Sequence, residues 1–225
     1  MNFLSHYYFD RASDNNFQII GSVLPDLVKN AVPDANLFPN KVKQEYNLHE
    51  TEILKGWNKH LLVDKTFHSS IFFKEETTKL KPLLIPLLSD TEIRPSFLAH
   101  IGLELLLDHL LMEQKIVNVK TFYVSLNGVN HAYLRSFLIK VGLKKTDTFF
   151  VFFDKFLDSQ YLFSYEKLDS ISYALNKICL RLWPIGLDSS QLEKLTDVLA
   201  RFKKDLSTRF RQIFNQIDTK LVTLS

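Results

Sequence analysis

The stretch from Ser96 to Gln114, with Pro95 ahead of it, limits the fold more than any other part of the chain. It reads PSFLAHIGLELLLDHLLMEQ, and Leu103, Leu105, Leu106, Leu107, Leu110 and Leu111 cover most of the azimuth of a helix. A helix apolar on every side belongs in a core rather than on a surface. Pro95 pre-sets a first-turn backbone angle and suits a helix start. Yet the same rod carries His100, Glu104, Asp108 and His109. At about 100° per residue, His100, Glu104 and Asp108 fall at roughly 0°, 40° and 80°, which makes one polar stripe. A buried carboxylate left unpaired costs on the order of 3–5 kcal/mol. Two in one stripe call for a cation, either Lys or Arg or a metal ion.

The chain therefore reads as all-α: a helical bundle around a buried central helix at 96–114, in a single domain over residues 1–225. Six Gly and seven Pro leave turn signals sparse, which favours long helices over many short strands. Helical pieces are expected at 2–9 and 17–30, with Pro25 kinking the second beside Asp26. Residues 31–47 form a loop excursion, and a long helix runs from about 50 to 79. Residues 115–131 read as irregular, with 117–124 open to a strand. Helical or aromatic-rich segments follow at 132–141, 148–163 and 169–182, and a basic-faced helix at 189–222. Residues 1–114 supply the site helices, and 132–225 pack on them.

Composition narrows the function classes. A chain 46% hydrophobic and 24% charged is globular rather than disordered. Cys179 stands alone, so there is no disulfide framework and no cysteine-rich metal site, which suits a reducing, cytoplasmic setting. The opening MNFLSHYYFDRASD lacks the basic and long apolar regions of a signal peptide. No run approaches about eighteen uncharged apolar residues, so no membrane span is expected. A net charge of +3 is compatible with an acidic partner and too weak to imply nucleic acid.

The helix before the central one repeats the polar device. His60, Asp64 and His68 are spaced i, i+4, i+8 and share an arc of roughly 80°. Two such stripes facing each other can close one site in a bundle core. His60, His68, His100, Glu104 and Asp108 are then the expected ligands of a divalent Mn, Fe or Zn ion. His109 lies about 180° from His100, so either it forms one edge of the site with Asp108, or it supports from outside or simply packs. The competing reading is a hydrogen-bonded polar seam, although Lys59, Lys65 and Arg94 share neither stripe. His6 and Asp26 say little alone, and His49 and His131 receive no role. Phosphate-binding, dinucleotide, nucleophile-elbow and HExxH motifs are missing, as are the ExxH pairs of di-iron bundles.

A wider pattern then joins these pieces. MNFLSH, GSVLPDLVK, GWNKHLLVDKTFH and LELLLDHLL occur in the order and rough spacing of the acyl carrier protein phosphodiesterase family, which the chain resembles over most of its length. The later segment YLFSYEKLDSISYALNKICLRL is similar as well, at Tyr161, Leu162, Tyr165, Ile171, Leu175 and Arg181. The resemblance implies a helical, HD-like, metal-dependent phosphohydrolase of fatty-acid metabolism. It carries over His6, Gly21, Asp26, Lys29, His60, Asp64, Asp108 and His109. The family's arginine after the histidine is Leu61 here, its later aspartate is His68, and its helix aspartate is Glu104. A usually small or apolar position is His100, and Asn30 replaces a glycine. Two added histidines and a lengthened carboxylate suggest a rebuilt metal site rather than a lost one.

On this resemblance the expected reaction is hydrolysis that frees the phosphopantetheine arm from holo-acyl carrier protein. Asp26 or Asp64 would orient the water or act as base, Lys29 would offset phosphate charge, and His6 and His109 would support. The alternative is a non-catalytic helical protein whose metal or polar seam is structural and which binds an acidic partner.

Overall fold

The computed structural model describes residues 1–224, and among them there are helices and no strands. The all-α expectation holds. The chain divides into two compact units, each assembled from separated stretches. The first comprises Met1–Ser5, Lys65–Ile116 and Leu162–Ser225, and the second His6–Asp64 and Val117–Tyr161. The short helix α1 (Phe3–Tyr8) and the long α3 (Leu48–His68) lend residues to both.

The second unit is built on α2 (Asn16–Ala31) and most of α3, with α6 (Val119–Asn127), α7 (His131–Lys140) and α8 (Thr146–Ser159). Asn15 caps α2 by accepting from the Phe17 and Gln18 amides, and the helix continues through Pro25. The strand-like reading of 117–124 is overturned by α6. Val119, Phe122, Tyr123 and Leu126 are buried at helical spacing, and the Asn118 side chain caps the Thr121 amide at 3.1 Å. Helix α2 packs on α6 and α8. In α8 the aromatic run becomes a core seam, with Phe149, Phe153 and Phe156 buried one turn apart.

One contact in this unit sets the geometry of all that follows. A Cβ on Gly21 of α2 would stand 2.2 Å from the Ile53 carbonyl, and one on Gly56 of α3 would stand 2.2 Å from the Gln18 carbonyl. Only two facing glycines allow the backbones of α2 and α3 to come this near.

In the first unit the oily helix is α5 (Pro95–Glu113), central as expected, against α4 (Ile71–Leu84), α9 (Leu168–Cys179) and α10 (Ser189–Leu206). Leu80 of α4 and Leu175 of α9 pack over Gly102 at ordinary van der Waals range. The helix expected at 50–79 is two helices. Ser70 takes an extended conformation and its hydroxyl accepts from the Phe73 amide at 3.0 Å, starting α4 afresh. The final helix also breaks, between α10 and α11 (Arg211–Leu224). Glu76 is buried and answered by Arg209 through two bonds of 2.8 Å, with Lys79 on the same carboxylate. Cys179 is fully buried, which pushes its thiol up to about 11. Among the described residues no helix is long and apolar enough to cross a membrane.

Candidate functional site

The Gly21–Gly56 contact brings the Ser22 carbonyl of α2 to 2.9 Å from Nδ1 of His60 on α3. A carbonyl only accepts, so Nδ1 carries a proton, and it is Nε2 that is free to lose its own and offer a lone pair in the neutral ring. That nitrogen faces Asp64 Oδ2 at 3.5 Å and Asp26 Oδ1 at 3.9 Å. The His6 ring stacks on the His60 ring, with centroids 3.8 Å apart and planes within 15°. His6 Nε2 approaches Asp64 Oδ1 to 3.2 Å, but the contact is poorly aligned, and both buried ring nitrogens of His6 are without hydrogen-bond partners. One donor atom from each of His6, Asp26 and His60 lies within 4.8 Å of the others.

The electrostatics follow from burial. His6 is pushed down to about 3 by desolvation and by the neighbouring His60, so its ring is neutral at physiological pH. Desolvation also opposes the charge on His60, but Asp26, Asp64 and the Ser22 carbonyl outweigh it and raise its pKa. Burial raises Asp64, yet the close approach of the His6 and His60 rings prevails and holds it well below the usual carboxylate range. Neutral imidazoles and ionised carboxylates bind a divalent metal, so His6 and Asp64 are already in that state, whereas an ion at His60 would displace the proton its carboxylate neighbours favour. Imidazole nitrogens together with carboxylate oxygen suit Mn, Fe or Zn. A buried histidine without a well-formed hydrogen bond at either nitrogen is costly unless something binds at its ring edge.

A second group forms in the first unit. His68 Nε2 lies 3.1 Å from His100 Nε2, and each nitrogen lies 3.1 Å from Glu104 Oε1. The amino group of Met1 is 3.2 Å from the same oxygen. His68 and His100 are 33% and 40% exposed, whereas Glu104 is 15% exposed. The stripe on α5 thus runs from half-exposed at His100 to fully buried at Asp108.

The five expected ligands are therefore divided. His60 gathers with His6, Asp26 and Asp64, and His68 gathers with His100 and Glu104. Asp108 joins neither group. Its oxygens accept from the Leu4 and Ser5 amides at 3.1 and 2.8 Å, from the Ser5 hydroxyl at 2.6 Å and from Asn2 at 2.9 Å. It caps the first turn of α1, and burial pushes it up to about 6 despite those bonds. The reason is spacing: i and i+8 stand about 12 Å apart along a helix, too far to share one ion. His109 packs, with Nδ1 donating to the Tyr165 carbonyl at 2.8 Å. Lys29 donates to the Pro33 carbonyl and lines a groove of about 200 Å³ with Pro25, Val28, Leu37, Phe38 and Trp57. A groove of about 570 Å³ around Phe17, His49 and Lys55 holds none of these side chains.

Sequence reasoning missed Ser22, because a backbone carbonyl leaves no mark on residue type. It underweighted His6, whose meaning depends on the ring stacked against it.

A family model described as acyl carrier protein phosphodiesterase matches residues 1–217 of this chain. No curated protein and no solved structure matches it.

Proposed function

The chain belongs to the acyl carrier protein phosphodiesterase family, and on that premise we propose a metal-dependent phosphodiester hydrolase centred on His6, Asp26, His60 and Asp64. The observation that carries this reading is the Ser22–His60 hydrogen bond, which fixes Nδ1 and turns Nε2 toward two carboxylates beside the buried His6 ring. Backbone orientation of this kind is how metal-binding histidines are commonly fixed. A divalent Mn, Fe or Zn ion bound there would supply Lewis acidity toward a phosphodiester oxygen and a more acidic bound water.

The chain's own groups divide the remaining work. Asp64 is too weak a base to take a proton, since both rings hold it ionised; it orients His6 and His60. Asp26 stands farther from the rings and is 30% exposed, so it is the general base. It removes a proton from the attacking water as that oxygen bonds to phosphorus. The bond from phosphorus to the serine oxygen of holo-acyl carrier protein breaks, the serine regains a proton, and the phosphopantetheine arm leaves. Lys29, on an exposed arm of α2, offsets phosphate charge. A net charge of +3 accords with an acidic protein substrate.

The test uses untagged protein, its metal content, and mass spectrometry of holo-acyl carrier protein before and after incubation. Metal-loaded wild type should convert holo to apo carrier protein, and Asp26→Asn should keep the metal while losing at least about 100-fold in rate. Metal without turnover would favour the non-catalytic reading, in which the chain only binds an acidic partner. Protein unable to hold any metal in the second unit would sink the site itself.

A further inference from the structure

We propose that His68, His100 and Glu104 form a second divalent-metal site, separate from the group around His60 and selective for a zinc-like ion. It does not depend on the hydrolase reading, since it stands on different side chains in the first unit.

Three donor atoms make a nearly equilateral triangle with 3.1 Å edges. Hydrogen bonds alone do not account for that figure. A ring nitrogen carries at most one hydrogen, which points in a single direction. If both Nε2 atoms are protonated, two N–H groups confront each other along the His68–His100 edge. If one is protonated, at least one edge sets lone pair against lone pair. A cation above the triangle satisfies all three atoms together. Donors about 2.0–2.1 Å from a tetrahedral ion stand roughly 3.3–3.4 Å apart, close to the observed edges.

The surroundings fit an open site. Phe73 meets both rings edge-on, with centroids 5.1 Å from His68 and 4.9 Å from His100, and fixes their planes. The Met1 amino group, 3.2 Å from the same Glu104 oxygen, shows that this carboxylate already draws positive charge. Beside His100 a groove of about 150 Å³ is lined by Phe73, Thr77, Thr78, Lys81 and Ser96. Three protein ligands, one of them lining this groove, leave a fourth position to water or a small anion. Two imidazoles with one carboxylate favour zinc or iron over magnesium or calcium.

The experiment is metal titration of the untagged full chain after chelator treatment, with Co²⁺ absorption to report coordination and Zn²⁺ content to report stoichiometry. Wild type should take two equivalents. His68→Ala/His100→Ala should take one, with the melting temperature of the metal-free protein unchanged. His60→Ala should also take one, and that equivalent should vanish when the three substitutions are combined. Should the double variant not fold, His100→Ala alone, at a 40% exposed position, must weaken one Co²⁺ equivalent at least tenfold. Two equivalents retained in the double variant, or a single wild-type equivalent lost in His60→Ala, would overturn the proposal. If only the equivalent that depends on His60 fails to appear, the hydrolase reading falls and the second site stands.

Discussion

The two histidine groups solve one problem by opposite means. In the second unit, His6 and His60 are 1% and 4% exposed, and a backbone carbonyl decides which nitrogen of His60 is available. In the first unit, His68 and His100 are a third or more exposed and lean on each other and on Glu104. The buried group is oriented by the fold, so its geometry is inseparable from helix packing. The exposed group is oriented by its own members and by Phe73, so it can change without disturbing the core. This fits the sequence: His60 and Asp64 match the resembled family's pattern, and His68, His100 and Glu104 are this chain's departures from it.

The contrast can be broken most severely at its buried end. His60→Ala should abolish metal-dependent turnover, a loss of about 1,000-fold or more, while leaving the His68 group's metal in place. A rate within tenfold of wild type would remove His60 from the centre. Asp108→Ala tests a buried carboxylate held by four hydrogen bonds from residues 2–5. It strands four donors, and chemical denaturation should show a loss of roughly 3 kcal/mol. The pH dependence has a definite sign. The folded carboxyl is raised to about 6 from an ordinary value near 4, so its contribution is full below pH 4 and is lost as pH rises through 6. The stability gap between wild type and Asp108→Ala should therefore narrow from pH 4 to pH 7. A gap that widens would show the four donors outweighing burial.

Gly56→Ala reaches the buried group indirectly. The added methyl meets the Gln18 carbonyl, so α2 and α3 must separate; a cost of about 1–3 kcal/mol is expected. The Ser22–His60 bond should loosen too, visible as weaker metal binding at that site alone. The mildest case is His100→Ala, expected to alter the stability of the metal-free protein by less than about 0.5 kcal/mol. A larger loss by thermal melting would mean that the exposed group is structural after all.

Much of the fold was legible because period and punctuation were strong. The central helix is found within a residue of its expected limits, since Pro95 and its leucines leave few alternatives. The break at Ser70 was hidden because one hydroxyl accepting one amide decides it, within an otherwise helical pattern. Helix α6 was hidden because Val117 to Val124 is also rich in β-branched residues, and only burial of 119, 122, 123 and 126 chooses the helix. At the site, the i, i+4 pair His60 and Asp64 was readable from spacing. The pairing of stripes into one centre was not, because angle around an axis says nothing about height along it. Asp108 illustrates the limit: its partners come from residues 2–5, over a hundred positions away, and two of the four bonds are from backbone amides.

Cys179 gives the molecule a practical property. The chain's only thiol is sealed in the first unit and pushed up to about 11, and it is the thiolate that reacts with alkylating reagents. The native protein is therefore silent toward maleimides and iodoacetamides near neutral pH. A cysteine engineered at an exposed position would be labelled alone, with no background residue to remove. Fluorescent or spin reporters can thus be installed on either unit in an otherwise unaltered chain.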